Sequence, residues 1–145
     1  MHLKQFLPAA ALVAAALAVP ADADPRQRVD LPPPMREHML ANMRDHLAAI
    51  ETIARLLAEG RYGEAADTAE SRLGMSAMGA HGGQHMAPHM PEGMRAIGTA
   101  MHRAASRLAV GARDAEVQGD LAGALTGLSD VMQQCVACHA AYRVH

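Results

Sequence analysis

Three long stretches of this chain space their apolar residues three and four apart, a period that selects helices packed against one another. In residues 35–59 the row is Leu40, Met43, Leu47, Ile50, Ala54 and Leu57. In residues 92–118 it is Met94, Ile97, Met101, Ala104, Leu108, Gly111 and Ala115. In residues 121–142 it is Leu121, Leu125, Leu128, Met132, Cys135, His139 and Tyr142. A shorter stretch, residues 62–73, offers Tyr62, Ala66, Ala69 and Leu73. The punctuation agrees: Gly60 follows the first stretch as a helix stop, and Asp120 precedes the last as a helix cap. Ala, Leu and Met, all strong helix formers, dominate the chain, and β-branched residues are sparse.

The sequence therefore predicts an all-α fold, an antiparallel four-helix bundle over residues 35–145. Short turns join the first helix to the second and the third to the fourth, as antiparallel neighbours require. Residues 74–91, rich in His, Met and Gly, join the second to the third. A connection that long is functional, disordered, or carries a short helix of its own. Ahead of the bundle, residues 24–34 form a Pro-rich lead-in, and Pro32-Pro33-Pro34 is expected to run extended.

The first 23 residues read as a signal peptide. His2 and Lys4 precede an apolar run from Phe6 to Val19, and Ala21-Asp22-Ala23 follows as a cleavage signal. The run is too short for a comfortable membrane span, so no stable span is expected, and the mature chain is expected in the periplasm. Cleavage after Ala23 removes one basic and one acidic residue, so the net charge stays at −2. Such a balance argues against a nucleic-acid partner.

The last helix carries Cys135-Val136-Ala137-Cys138-His139, and Cys135 and Cys138 are the only cysteines in the chain. This C-x-x-C-H spacing is the attachment signature of a c-type haem. On a helix, residues three and four apart share a face, so two thiols can bond the haem vinyl groups while His139 ligates the iron. The other uses of a Cys pair fit less well. A redox dithiol sits beside a βαβ pattern, which is missing. A zinc site needs four ligands, and no second Cys pair supplies them. A disulfide across three residues closes too small a loop to stabilise much. The sequence has no Trp, two Tyr and one Phe, the latter in the signal. So sparse an aromatic content suits a core that packs around a large flat cofactor, and it predicts that the chain without haem packs poorly.

With the motif on the final helix of a bundle of this length, residues 35–143 resemble the class II cytochromes c, which comprise cytochrome c prime and its Met-ligated low-spin relatives. The run Cys135-Val-Ala-Cys-His-Ala-Ala-Tyr-Arg143 carries most of the likeness, and Gly60-x-Tyr62-x-x-Ala65-Ala66 adds to it. The resemblance implies a periplasmic protein with one covalent haem c and a redox partner protein, and it admits a homodimer. It also implies that a Met of the first helix closes the coordination in an electron carrier. Met43 is the best match and Met39 the second choice, with His38 or His46 as imidazole alternatives. If Arg36 matches the first-helix Arg of cytochrome c prime, Leu40 becomes an apolar cap, and a five-coordinate iron would bind NO or CO. Tyr142 and Arg143, just beyond His139, are expected to line the proximal pocket.

A third reading uses the connection. His81, His85 and His89 recur every four residues with Met86 and Met90 interleaved, a donor set that suits copper. No further acid–base constellation accompanies these residues, and the chain is not expected to be an enzyme.

Overall fold

The computed structural model describes residues 24–144; the predicted signal peptide lies outside them. The described chain is of the all-α class, five helices with one pair of two-residue strands. Helix α1 spans Pro33–Ala58, α2 Tyr62–Leu73, α3 Gly83–Met86, α4 Glu92–Gln118 and α5 Leu121–Ala141. Single 3-10 turns at Met75–Ala77 and Ala87–His89 flank α3, so the long connection does carry a short helix. Among the described residues no helix is long and apolar enough to cross a membrane.

The ends of the long helices follow from their sequence. Helix α1 starts with proline in its first turn, where a missing N–H costs nothing. The triproline is thus partly helical rather than wholly extended. Gly60 (φ 72°) and Gly119 (φ 73°) take the left-handed conformation that ends α1 and α4. The Asp120 carboxylate accepts the Ala122 N–H at 2.9 Å, the predicted cap of α5.

Helix α4 is the central element. It packs extensively on both α2 and α5, and α1 leans on α2, while α1 and α5 barely touch. One core fills the lower part: Ala49, Ile53, Leu57, Ala66, Leu73, Ala105, Leu108, Ala112, Leu128 and Val131 are all buried. Small residues bring the helices close. A side chain on Gly127 of α5 would begin 3.0 Å from the Leu108 Cα of α4.

This arrangement rotates two of the expected faces. On α1 the buried residues are Met39, His46, Ala49, Ile53, Leu56 and Leu57, whereas Leu47 is 69% exposed. On α5 they are Ala124, Leu128 and Val131, whereas Leu125 and Met132 are half-exposed. The cause is the spread between α1 and α5. Each buries the stripe that meets its main neighbour, α2 for α1 and α4 for α5, and leaves Met43 and Leu47 of α1 and Met132 of α5 facing the gap. The row of residues 92–118 agrees more closely: Met94, Met101, Ala104, Leu108 and Ala115 are buried on α4.

The last helix also ends one residue early. Tyr142–Arg143 is a short strand (β2) that pairs in parallel with Gln27–Arg28 (β1) of the lead-in. The Val29 N–H extends the pairing to the Arg143 carbonyl at 2.8 Å, and the Arg26 guanidinium donates to the His139 carbonyl at 3.3 Å. The lead-in is therefore a strap laid across the end of α5.

Candidate functional site

The spread between α1 and α5 opens a cavity of about 1110 Å³. That is just above the roughly 300–1,000 Å³ of small-molecule and cofactor sites, far larger than an ion needs. Four elements wall it. Helix α1 contributes Met39, Met43, Leu47 and Ile50; the 74–91 connection contributes Met75, Met78, Met86 and Met90. Helix α4 contributes Ile97, Met101 and His102, and α5 contributes Met132, Cys135, Val136, Cys138 and His139. The apolar side chains left uncovered by packing concentrate here: Met43, Leu47, Met75, Met132 and Val136 are all more than a third exposed. The lining is thus apolar and thioether-rich, with the cations Arg44 and Arg95 also on its wall.

The motif sits as the helical spacing requires. Cys135 and Cys138 are half-buried and His139 is exposed, yet all three line the same cavity. The thiols are not joined to each other. Cys135 Sγ donates to the Val131 carbonyl at 3.6 Å. Burial pushes both thiols above their ordinary range, and for Cys138 the nearby Cys135 adds to the push. Neither thiol therefore has the depressed pKa that marks a redox dithiol.

A second, smaller apolar cluster closes the motif end. Val29, Met39, Met86 and Met94 are buried, and Met35, Cys138, Tyr142 and Val144 pack on them. Here the two first-helix methionines part company. Met39 is 5% exposed and packed into this cluster, whereas Met43 is 37% exposed and faces the open cavity. The Tyr142 hydroxyl lies against Gly93, where any side chain would collide with it. Arg143 sits near Asp24, its Nε 3.7 Å from the carboxylate. Both residues thus belong to the strap side of the motif.

The connecting histidines divide. His85 and His89 are exposed, while His81 turns inward. Its ring packs on His46 of α1 and His102 of α4, with centroids 4.7 and 5.3 Å away. His46 and His102 are buried, at 8% and 7% exposure. Burial, with His81 and His102 alongside, lowers the His46 pKa to about 4. Burial and His102 lower His81 as well. The connection is pinned nearby: the Asn42 amide donates to the His81 carbonyl at 3.1 Å, and the Met75 N–H to Ser106 Oγ at 3.0 Å.

His102 was not singled out from the sequence. It follows Met101 on the buried row of α4, and a histidine beside so apolar a row is the signal that could have marked it. Among the described residues no group of three or more His, Cys, Asp and Glu side chains is placed to hold a metal ion. Comparison with family models, with characterised proteins and with solved structures finds no match for this chain.

Proposed function

We propose that this chain is an exported c-type cytochrome, an electron carrier whose single haem c is bonded to Cys135 and Cys138 and ligated by His139. The observation that carries the reading is the placement of the Cys-Cys-His motif in the wall of a large apolar cavity. The chain fits the group in three respects. The cavity has cofactor size, its walls are thioether and aliphatic, and both thiols and the imidazole open onto it. In this reading helices α1, α2, α4 and α5 make up an antiparallel four-helix bundle, a fold that builds cofactor sites from facing helices.

When bound, the haem would supply a one-electron couple. The chain's residues do the rest. His139 would give the iron a nitrogen ligand. Met43, exposed toward the cavity from α1, would be the first candidate for a second ligand, and Met39 the second. A thioether there raises the potential relative to a second imidazole. Arg44 and Arg95 offer guanidinium partners for the haem carboxylates. Tyr142, the strap and Arg143 hold the turn after His139 in place. The reading places the protein in the periplasm, with a redox partner protein and without an enzymatic reaction of its own.

A second reading is favoured by the packing of Met39. With Met39 held in the apolar cluster, loss of Met43 from the iron would leave an open face, and the protein would bind NO or CO. Visible spectra of the purified protein, oxidised, reduced and with CO, separate the two. Sharp reduced bands and a weak far-red band when oxidised, lost in Met43→Ala, support the carrier. A broad high-spin spectrum that CO shifts at once supports the gas binder. A spectrum without haem bands overturns both.

A further inference from the structure

We propose that residues 78–85 are a flap on the cavity wall that His81 latches at neutral pH and releases as the pH falls. The stretch runs from the 3-10 turn at Met75–Ala77 into α3, and its Met78, Gly79, His81, Gly83 and Gln84 line the cavity. Both of its ends are anchored. Ahead of it, the Met75 N–H donates to Ser106 Oγ at 3.0 Å, and Ser76 Oγ donates to the Glu70 carbonyl at 2.9 Å. Behind it, Met86 is buried in the cluster at the motif end. Between these anchors, among the described residues, the hydrogen bonds to the long helices both end on His81. The Asn42 amide donates to its carbonyl, and its Nδ1 meets His46 Nε2 at 3.3 Å. One residue thus holds the middle of the flap, and Gly82 (φ 67°) turns the chain beside it.

The latch is built for neutral rings. A hydrogen bond between two imidazoles needs one N–H and one lone pair. His46 and His102 are buried, and the His81 ring packs on both. The charged and titratable groups that face the pair are few. His46 meets His81 from the flap, His102 from α4, Arg72 from α2 and its own neighbour Asp45. His81 meets His102 from α4, and Asp45 and His38 from α1. Asp45 is the carboxylate among them, and the Arg72 guanidinium engages it. A proton arriving here is opposed by burial first and by the adjacent rings next, the causes that lower the pKa of both histidines.

His81 is the ring that can leave. It is half-buried on a short flap, whereas His46 and His102 sit on the long helices α1 and α4. His102 Nδ1 also donates to the Leu73 carbonyl at 2.7 Å. Swung into water, His81 regains an ordinary pKa of about 6.5. The open flap then binds a proton that the closed flap does not. Closure is therefore fully present above that value, and opening gains up to about tenfold per pH unit below it. Release carries Met78 and Gln84 off the cavity wall together with His81. The device does not rest on the identity of the group that the cavity holds.

Amide hydrogen exchange of the purified protein tests the latch, read by mass spectrometry at pH 7, 6 and 5 and corrected for the intrinsic rate at each pH. Protection of peptides covering 78–85 is expected to fall more than about fivefold from pH 7 to pH 5, while peptides of α2 and α4 keep theirs. His81→Gln retains a donor and an acceptor but takes no proton, and its flap should stay protected throughout. The double variant His85→Ala/His89→Ala removes two exposed imidazoles and should respond as the parent does. A flat response in the parent or in the double variant, a fall in His81→Gln equal to the parent's, or a fall shared by α2 and α4 would overturn the proposal.

Discussion

The imidazole cluster makes the stability of the fold depend on pH in a defined window. His46 is 8% exposed and its pKa is lowered from 6.5 to about 4, by burial first and by His81 and His102 next. The unfolded chain therefore binds a proton at this residue where the folded chain does not, and stability rises with pH. The contribution is fully present above the unfolded value, is lost as pH falls toward the folded value, and is flat below it. Its full size is about 3 kcal/mol, of which about 2 kcal/mol is lost between pH 7 and 5. That interval avoids most carboxylate titration. Urea melts followed by circular dichroism, in chelator, should show the loss in the parent. His46→Gln, which cannot take the proton, should be less stable at pH 7 but flatter with pH. Equal pH slopes in the two proteins would refute the argument.

Other consequences are smaller in scope. Gly127→Ala would drive a methyl against the Leu108 backbone and should cost about 1–3 kcal/mol, read as a lower urea midpoint; a neutral result would mean that α5 shifts freely on α4. Leu108→Ala, at 1% exposure in the main core, should cost about 2–5 kcal/mol by the same assay. Met43→Ala should remove the far-red band of the oxidised protein with little loss of stability, because the side chain is already 37% exposed; Met39→Ala should do the reverse. Cys135→Ser/Cys138→Ser should keep its helices, yet melt less cooperatively at the motif end, where Cys138 packs on Met39 and Met94; an unchanged cooperative melt would show that the haem adds nothing to the packing.

Much of this was legible in the sequence because helical period and helix punctuation are local. Gly60, Asp120 and the row from Met94 to Ala115 fixed where α1, α5 and α4 end or pack, and the structure agrees with them. The rows on α1 and α5 came out turned by about one residue, roughly 100° of helix. A repeat says that a helix has an apolar face; it does not say which neighbour takes that face. Here part of the apolar surface serves the cavity instead, so Met43, Leu47 and Met132 looked like core. The strap of Gln27–Arg28 on Tyr142–Arg143 joins segments more than a hundred residues apart, and two-residue strands leave no alternating pattern. The histidines show the same limit. His81, His85 and His89 share a spacing, but His81 alone turns inward, because its real partners, His46 and His102, lie 35 and 21 residues away in sequence. Gly82 (φ 67°) and Pro88 break the connection, so the spacing of four is not the spacing of one helix face.

The central claim is a haem held by Cys135 and Cys138, and intact-mass measurement of the exported protein under denaturing conditions tests it most directly. The account predicts a chain carrying the added mass of one haem, with neither thiol open to alkylation. A chain without added mass and with two alkylatable thiols would contradict it.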